Sequence, residues 1–296
     1  MAIALRYRQA GRIVTVFEAT ERVERRGHAT VASRDRALLA LLDELDLSAG
    51  IRWDSNITLN GTRFGALIGG RARIIETLRD RARALDVDIR LGTPVGGVAT
   101  DGTGFEVNTG ADTGEFDEVI MTVPSPVVSE LLDPLPERER LALGTVGYVG
   151  IITVSFVINS GRVPLAAARY IQRVSRGGDH FALVDPSVLN PRDESRSGVV
   201  YITRPLAAHN ELFGAGDRQV IEHFARAVPG SSDILSARVM RMPHAFAQGR
   251  LDSFTSSVPG LSIVNAAHMG GGRHHLERTA ALALTAFRQL CAERIT

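Results

Sequence analysis

Glu18 closes the β-branched and aromatic run Ile13-Val14-Thr15-Val16-Phe17, a composition that predicts a buried parallel strand. A carboxylate at the end of such a strand, just after a helix, can accept hydrogen bonds from the ribose hydroxyls of a nucleotide. The alternative is a solvated side chain at a strand end. Gly270-Gly271-Gly272 stands between the apolar run Leu261–Asn265 and an amphipathic stretch from about His275 to Glu293. Glycines there let the backbone approach a flat ring, and the N–H groups of the next helix offer positive potential to an electron-rich edge. The alternative is a flexible connection. His268, His274 and His275 cluster near the same glycines. A metal would need converging ligands, and adjacent histidines on a helix diverge. Solvated or capping roles therefore compete with one histidine as a proton-transfer group. Arg25 and Arg26 suit either an anion or a charged surface loop.

The elements that must position these residues are legible in outline. Leu5, Tyr7 and Ala10 mark an amphipathic helix, and Gly11 stands where a C-cap glycine belongs. Helix and strand together read as the second half of a βαβ dinucleotide-binding unit. The strand and Gly-x-Gly-x-x-Gly turn that normally precede them, and bring backbone N–H groups against a pyrophosphate, are not in the sequence. Arg36 to Asp46 predicts a helix. Ile51 to Phe64 predicts a hairpin turning at Asn60-Gly61. Gly69-Gly70 opens a helix over Ala72–Leu85 and reads as structural. Val87–Leu91, Pro94–Ala99, Phe105–Asn108 and Val119–Met121 predict strands, and Val127–Leu132 a short helix. Gly147 to Asn159 begins a β-rich region with further strands at Tyr170–Val174, Phe181–Val184, Gly198–Thr203 and Ala237–Arg241, and a helix at Asp217–Val228. The order predicts an α/β nucleotide domain built from discontinuous segments and interrupted by a mixed β-sheet domain.

Composition narrows the field. The chain has 296 residues, 44% hydrophobic and 23% charged, with a net charge of +1. That is enough for a sizeable core and gives no reason to expect nucleic acid as a partner. The basic charge is carried by arginine. One cysteine, Cys291, permits no internal disulfide or cysteine metal site and fits a reducing, cytoplasmic compartment. The apolar runs are too short for an integral membrane segment. There is no Ser–His–Asp, P-loop or zinc signature, so no metal site is expected and no acid or base can be named as catalytic.

The helix and strand ending VFEA, the Gly-Gly–helix segment, the strand-rich stretch ending FDEVIMTVP and the terminal strand–glycine–helix together resemble the FAD-dependent amine oxidase, phytoene desaturase and protoporphyrinogen oxidase superfamily. The resemblance covers most of the chain. It implies FAD as cofactor and an α/β fold. A discontinuous Rossmann-like FAD/NAD(P)-binding domain would comprise 1–50, 69–146 and 255–296, and an inserted mixed or antiparallel β-sheet substrate domain 51–68 and 147–254. It implies ribose binding by Glu18 and an approach to the pyrophosphate by the segment from Arg22. It further implies an adenine-facing backbone at Val95 and a C-terminal cofactor segment from Asn265 to Gly270, Gly271 and Gly272. The sequence departs from the family pattern in three places. The glycine turn is absent. Glu24-Arg25-Arg26-Gly27 replaces paired glycines. The hairpin ending at Phe64 runs almost directly into Gly69-Gly70, where relatives carry a long helical segment. The resemblance implies an FAD-dependent oxidoreductase taking hydride from a small organic or biosynthetic intermediate, with homo-oligomerisation left open. A degenerate, non-catalytic homologue acting as a partner or scaffold is the alternative. A natural start upstream of Met1, carrying the missing strand, is another.

Overall fold

A computed structural model describes residues 1–21, 29–59, 62–158, 171–184, 198–228, 234–253, 256–269 and 275–292. In chain order the elements are α1 (Ala2–Gln9), β1 (Thr15–Glu18), β2 (Thr30–Ala32), α2 (Arg36–Glu44), β3 (Ile51–Leu59), β4 (Thr62–Leu67), α3 (Gly70–Ala84), β5 (Asp88–Leu91), β6 (Gly97–Thr100), β7 (Phe105–Asn108), β8 (Thr113–Phe116) and β9 (Val119–Met121). They continue with α4 (Ser125–Leu131), β10 (Leu132–Asp133), α5 (Glu137–Gly144), β11 (Tyr148–Ile158), β12 (Ile171–Arg176), β13 (Asp179–Val184), β14 (Gly198–Ala207), α6 (Asp217–Ala225), β15 (Ile234–Ala247), β16 (Leu261–Ile263) and α7 (His275–Ala292).

The chain divides into two compact units. The first comprises Met1–Ile51, Ser55–Gly147 and Ala247–Thr296, and the second Arg52–Asp54 and Tyr148–Phe246. In the first unit α1 ends as its sequence predicts. Gly11 takes a left-handed conformation (φ +82°). Its amide donates to the Arg8 carbonyl at 3.0 Å and the Arg12 amide to the Tyr7 carbonyl at 3.1 Å, the paired bonds of a Schellman turn. The turn aims the chain into β1. Ile13, expected within the buried strand, is instead 95% exposed, because the ladder begins only at Thr15.

β1 pairs in parallel with β5 (Thr15↔Asp88 to Glu18↔Leu91), and β16 pairs in parallel with β9 (Leu261↔Val119 to Ile263↔Met121). Each pair is a separate two-stranded sheet, so among the described residues β1 and β16 each have one ladder partner. The two pairs nevertheless share cores. Phe17 packs against the cluster that includes Met121 and Ile263. Val14 joins Tyr7, Ile120, Val264 and Leu290. Alternation along the strands places these clusters on opposite faces. Helices α1, α2 and α7 pack together, with Leu38, Leu42, Ala286 and Leu290 fully or almost fully buried. β10, β6, β7 and β8 form a four-stranded sheet, and β2, β4 and β3 a three-stranded one. The β2–β4 ladder (Thr30↔Ala66 to Ala32↔Phe64) ties the hairpin to the first unit. The unit boundaries therefore differ from those read in the sequence, which gave 51–68 to the substrate domain.

The second unit is an antiparallel five-stranded sheet in the order β12, β13, β14, β11, β15. β11 and β14 pair from Val149↔Ala207 to Ile158↔Gly198. Period-2 alternation sends Ile152, Val154, Phe156 and Ile158 to one face, where they pack with Val220 and Phe224 of α6. β15 is longer than the strand predicted at Ala237–Arg241. It lies at the sheet edge, the place in a sheet where a proline such as Pro243 is tolerated.

Candidate cofactor site

Ligands of open α/β sheets bind beyond the carboxyl ends of parallel strands. In the first unit those ends carry Glu18 after β1, Gly92 to Val95 after β5, Val123 after β9 and Asn265 after β16.

Glu18 is exposed. One carboxylate oxygen accepts from the Thr20 amide at 3.0 Å and the Thr20 hydroxyl at 2.8 Å. The turn after β5 fixes the backbone beneath it. The Thr93 amide donates to the Glu18 carbonyl and the Gly92 amide to the Thr20 carbonyl, both at 2.9 Å. Gly92 has φ +64°, and a Cβ there would stand 3.3 Å from Cγ of Glu21. The residue must bend left-handed and leave room, which glycine does without strain. The amino-terminal end of α1 shares this corner. Burial pushes the Met1 amino group below its usual pKa, and the charge of Glu18 opposes that shift. An exposed carboxylate thus stands beside a helix amino terminus, with its positive end potential, at a strand end.

Val95 lies in the link between β5 and β6, before the strand predicted at Pro94–Ala99 enters its ladder at Gly97. Its side chain is half-buried against the core of Val98, Phe105 and Met121. The Gly96 amide donates to the Asn108 carbonyl at 2.7 Å. Among the described residues no hydrogen bond uses the Val95 amide or carbonyl. Those groups are available to a ligand edge such as a purine.

Asn265 is buried, 3% exposed. Its side-chain amide donates to the Val123 carbonyl at 3.0 Å and the Ser125 hydroxyl at 3.3 Å. Its Oδ1 accepts from the Ala267 amide at 3.0 Å. The Asn265 amide in turn donates to Nδ1 of His268 at 3.3 Å, completing a capping box. Nε2 of His268 donates to the Ser253 carbonyl at 2.9 Å. Burial holds the His268 pKa below the usual histidine range, against the pull of the two backbone contacts and Asp252. His268 is a neutral capping group holding the loop after β16. Asn265 fixes the start of that segment to the end of β9 with its side chain. Arg22, with Arg25 and Arg26, and Gly270, Gly271, Gly272 and His274 lie outside the described residues.

Sequence reasoning offered a capping role for His268 but did not name Asn265 as its partner at the exit of β16. The signal was present: an Asn followed three residues later by a hydrogen-bonding side chain. It also missed the Thr93–Glu18 backbone clamp, which no local pattern announces.

Residues 25–229 match the model of the flavin-containing amine oxidoreductases. The chain therefore belongs to that family. It is by class an FAD-dependent oxidoreductase. Solved structures with the same fold include a protein described as a protoporphyrinogen oxidase from Exiguobacterium sp. 255-15, with 14% identity, a TM-score of 0.69, and 99% of this chain and 96% of that chain covered. Wild-type putrescine oxidase bound to putrescine is 17% identical, with a TM-score of 0.67 over 98% of this chain and 96% of that one. An oxidoreductase from Methanosarcina mazei is 13% identical, with a TM-score of 0.63 and 97% of each chain covered. No curated protein sequence matches the chain. Among the described residues no helix is long and apolar enough to cross a membrane.

Proposed function

We propose that this protein oxidises a C–N or C–H bond of a small organic molecule, holding FAD across the parallel-strand ends of the first unit. The observation that carries the reading is the conjunction of the family match with an exposed Glu18 and unengaged Val95 backbone groups at those ends. These residues fit the adenosine end of the cofactor: a carboxylate for ribose hydroxyls and a free amide and carbonyl for a purine edge. Asn265 would hold the segment leading to Gly270–Gly272 against β9. Arg22 would stand on the approach to the pyrophosphate. Bound there, the flavin ring supplies the acceptor for a hydride from substrate. A small-molecule substrate is supported by the family resemblance and by a neighbour of the same fold bound to putrescine.

Absorbance spectra before and after incubation with FAD test the reading. Oxidised-flavin bands that grow with added FAD and saturate at one equivalent are the expected result. A folded protein that stays colourless would overturn the proposal and favour the scaffold reading.

A further inference from the structure

A second concentration of charge lies wholly within the second unit. A cleft of roughly 590 Å³ opens beside α6, lined by Asp179, Arg204, Glu211, Glu222, His223 and Arg226 among others. Its floor is a chain of contacts. Arg204 donates to Asp179 Oδ1 at 2.5 Å and lies over the Phe181 ring at 5.6 Å. A second Arg204 nitrogen lies 2.9 Å from His223 Nε2. Asp179 Oδ2 is 3.1 Å from the same Nε2. On the other side of the ring, Arg226 Nη2 sits against His223 Nδ1, and Arg226 Nε donates to the His223 carbonyl at 3.1 Å.

The donors and acceptors in this chain do not balance. A guanidinium carries donors only, and a neutral imidazole has one bare nitrogen. If the ring proton is on Nε2, that N–H donates to Asp179 and Nδ1 accepts from Arg226. Arg204 then faces an N–H. If the proton is on Nδ1, Arg204 is satisfied and Arg226 faces an N–H. Protonating the ring leaves both arginines without an acceptor there. Burial, with Arg226 and Arg204, lowers the His223 pKa despite Asp179, so the ring stays neutral and the mismatch persists. Either way one guanidinium N–H lacks an acceptor on this ring. Asp179 is matched by Arg204, and Glu222 by Arg218 at 2.9 Å. Among the described residues Arg226 has no carboxylate partner.

We propose that this cleft is a binding site for a small oxyanion, a carboxylate or a phosphate, which supplies the missing acceptor between Arg204 and Arg226. Planar, forked guanidinium donors match both anions. Glu211 is the one lining carboxylate without a cationic partner among the described residues, and it sets the limit on affinity.

Isothermal titration of the whole chain with sodium phosphate and with sodium acetate, at constant ionic strength in chloride, tests the site. We expect saturable one-to-one binding of at least one anion, and the tighter of the two identifies the ligand chemistry. Arg226→Gln, at an exposed position, should weaken binding about tenfold or more, the loss of one charge-assisted contact. Glu211→Gln should tighten it. Arg238→Gln, which removes an exposed arginine of β15 that does not line the cleft, should leave it unchanged. No saturable binding of either anion, or equal affinity in Arg226→Gln and the parent, would overturn the proposal.

Discussion

Replacing Asn265 with alanine separates a residue that shapes the cofactor segment from one that merely touches the cofactor. The side chain is 3% exposed and makes three hydrogen bonds, to the Val123 carbonyl, the Ser125 hydroxyl and the Ala267 amide. Truncation leaves two backbone groups, one a buried donor and one an acceptor, without those partners. Each such group costs about 1–3 kcal/mol. The sum is about 3 kcal/mol, with a small addition for the space vacated. A domain of this size shifts by roughly 2–4 °C per kcal/mol. The flavin-free protein should therefore melt about 10 °C lower in differential scanning calorimetry. A melting temperature within about 2 °C of the parent, with FAD affinity reduced, would refute this reasoning. Asn265 would then face the ligand and contribute little to the fold.

Glu18→Gln should weaken FAD binding about tenfold or more, because a charge-assisted bond becomes a neutral one. The melting temperature should stay within about 1 °C, since the side chain is exposed. Flavin fluorescence titration checks both the affinity and, on heating, the fold. Gly150→Ala should destabilise the second unit by about 1–3 kcal/mol. A Cβ there would stand 2.3 Å from Cζ of Phe213 and 2.9 Å from the Pro243 carbonyl, and thermal melts report the loss. Acid should loosen the contact between α5 and the segment before β16. Burial works against the charge on Glu139, but donors from Ser256 and Ser257 outweigh it and hold its pKa below the usual value. A depressed folded pKa gives stability that is present above the unfolded value and lost as pH falls through the folded one. Glu139→Gln should flatten that acid limb of a melting-temperature profile.

The legible parts of the fold were those with local chemistry. The Schellman glycine and the β-branched run before Glu18 specify α1 and β1 within a few residues; both elements form, but β1 begins only at Thr15, is half-buried, and leaves Ile13 exposed. β2 was invisible because three residues in a polar, charged stretch become a strand only through β4, some thirty residues away. α5 was missed because Glu137–Gly144 buries only Leu143 and shows almost no apolar stripe. β15 was read short because Pro243 and the scattered arginines argue against a strand, and only its place at a sheet edge permits them. The two proposed sites divide the same way. Glu18 is proposed from its position at a strand end alone. Asp179, Arg204 and His223 come from β13, β14 and α6, and nothing local in any of them marks their meeting.

The interleaving of the two units has a consequence for how the chain is made. Apart from three residues near Trp53, the second unit is encoded in one stretch, Tyr148–Phe246. Its β11–β14 ladder and α6 can therefore close soon after they leave the ribosome. β9 cannot: its parallel partner β16 is synthesised some 140 residues later, after the whole inserted unit. At synthesis rates of about 5–20 residues per second, Val119–Met121 waits on the order of ten seconds with an open edge. Translation speed through the inserted unit, and chaperone occupancy during that interval, should govern the yield of the first unit more than that of the second.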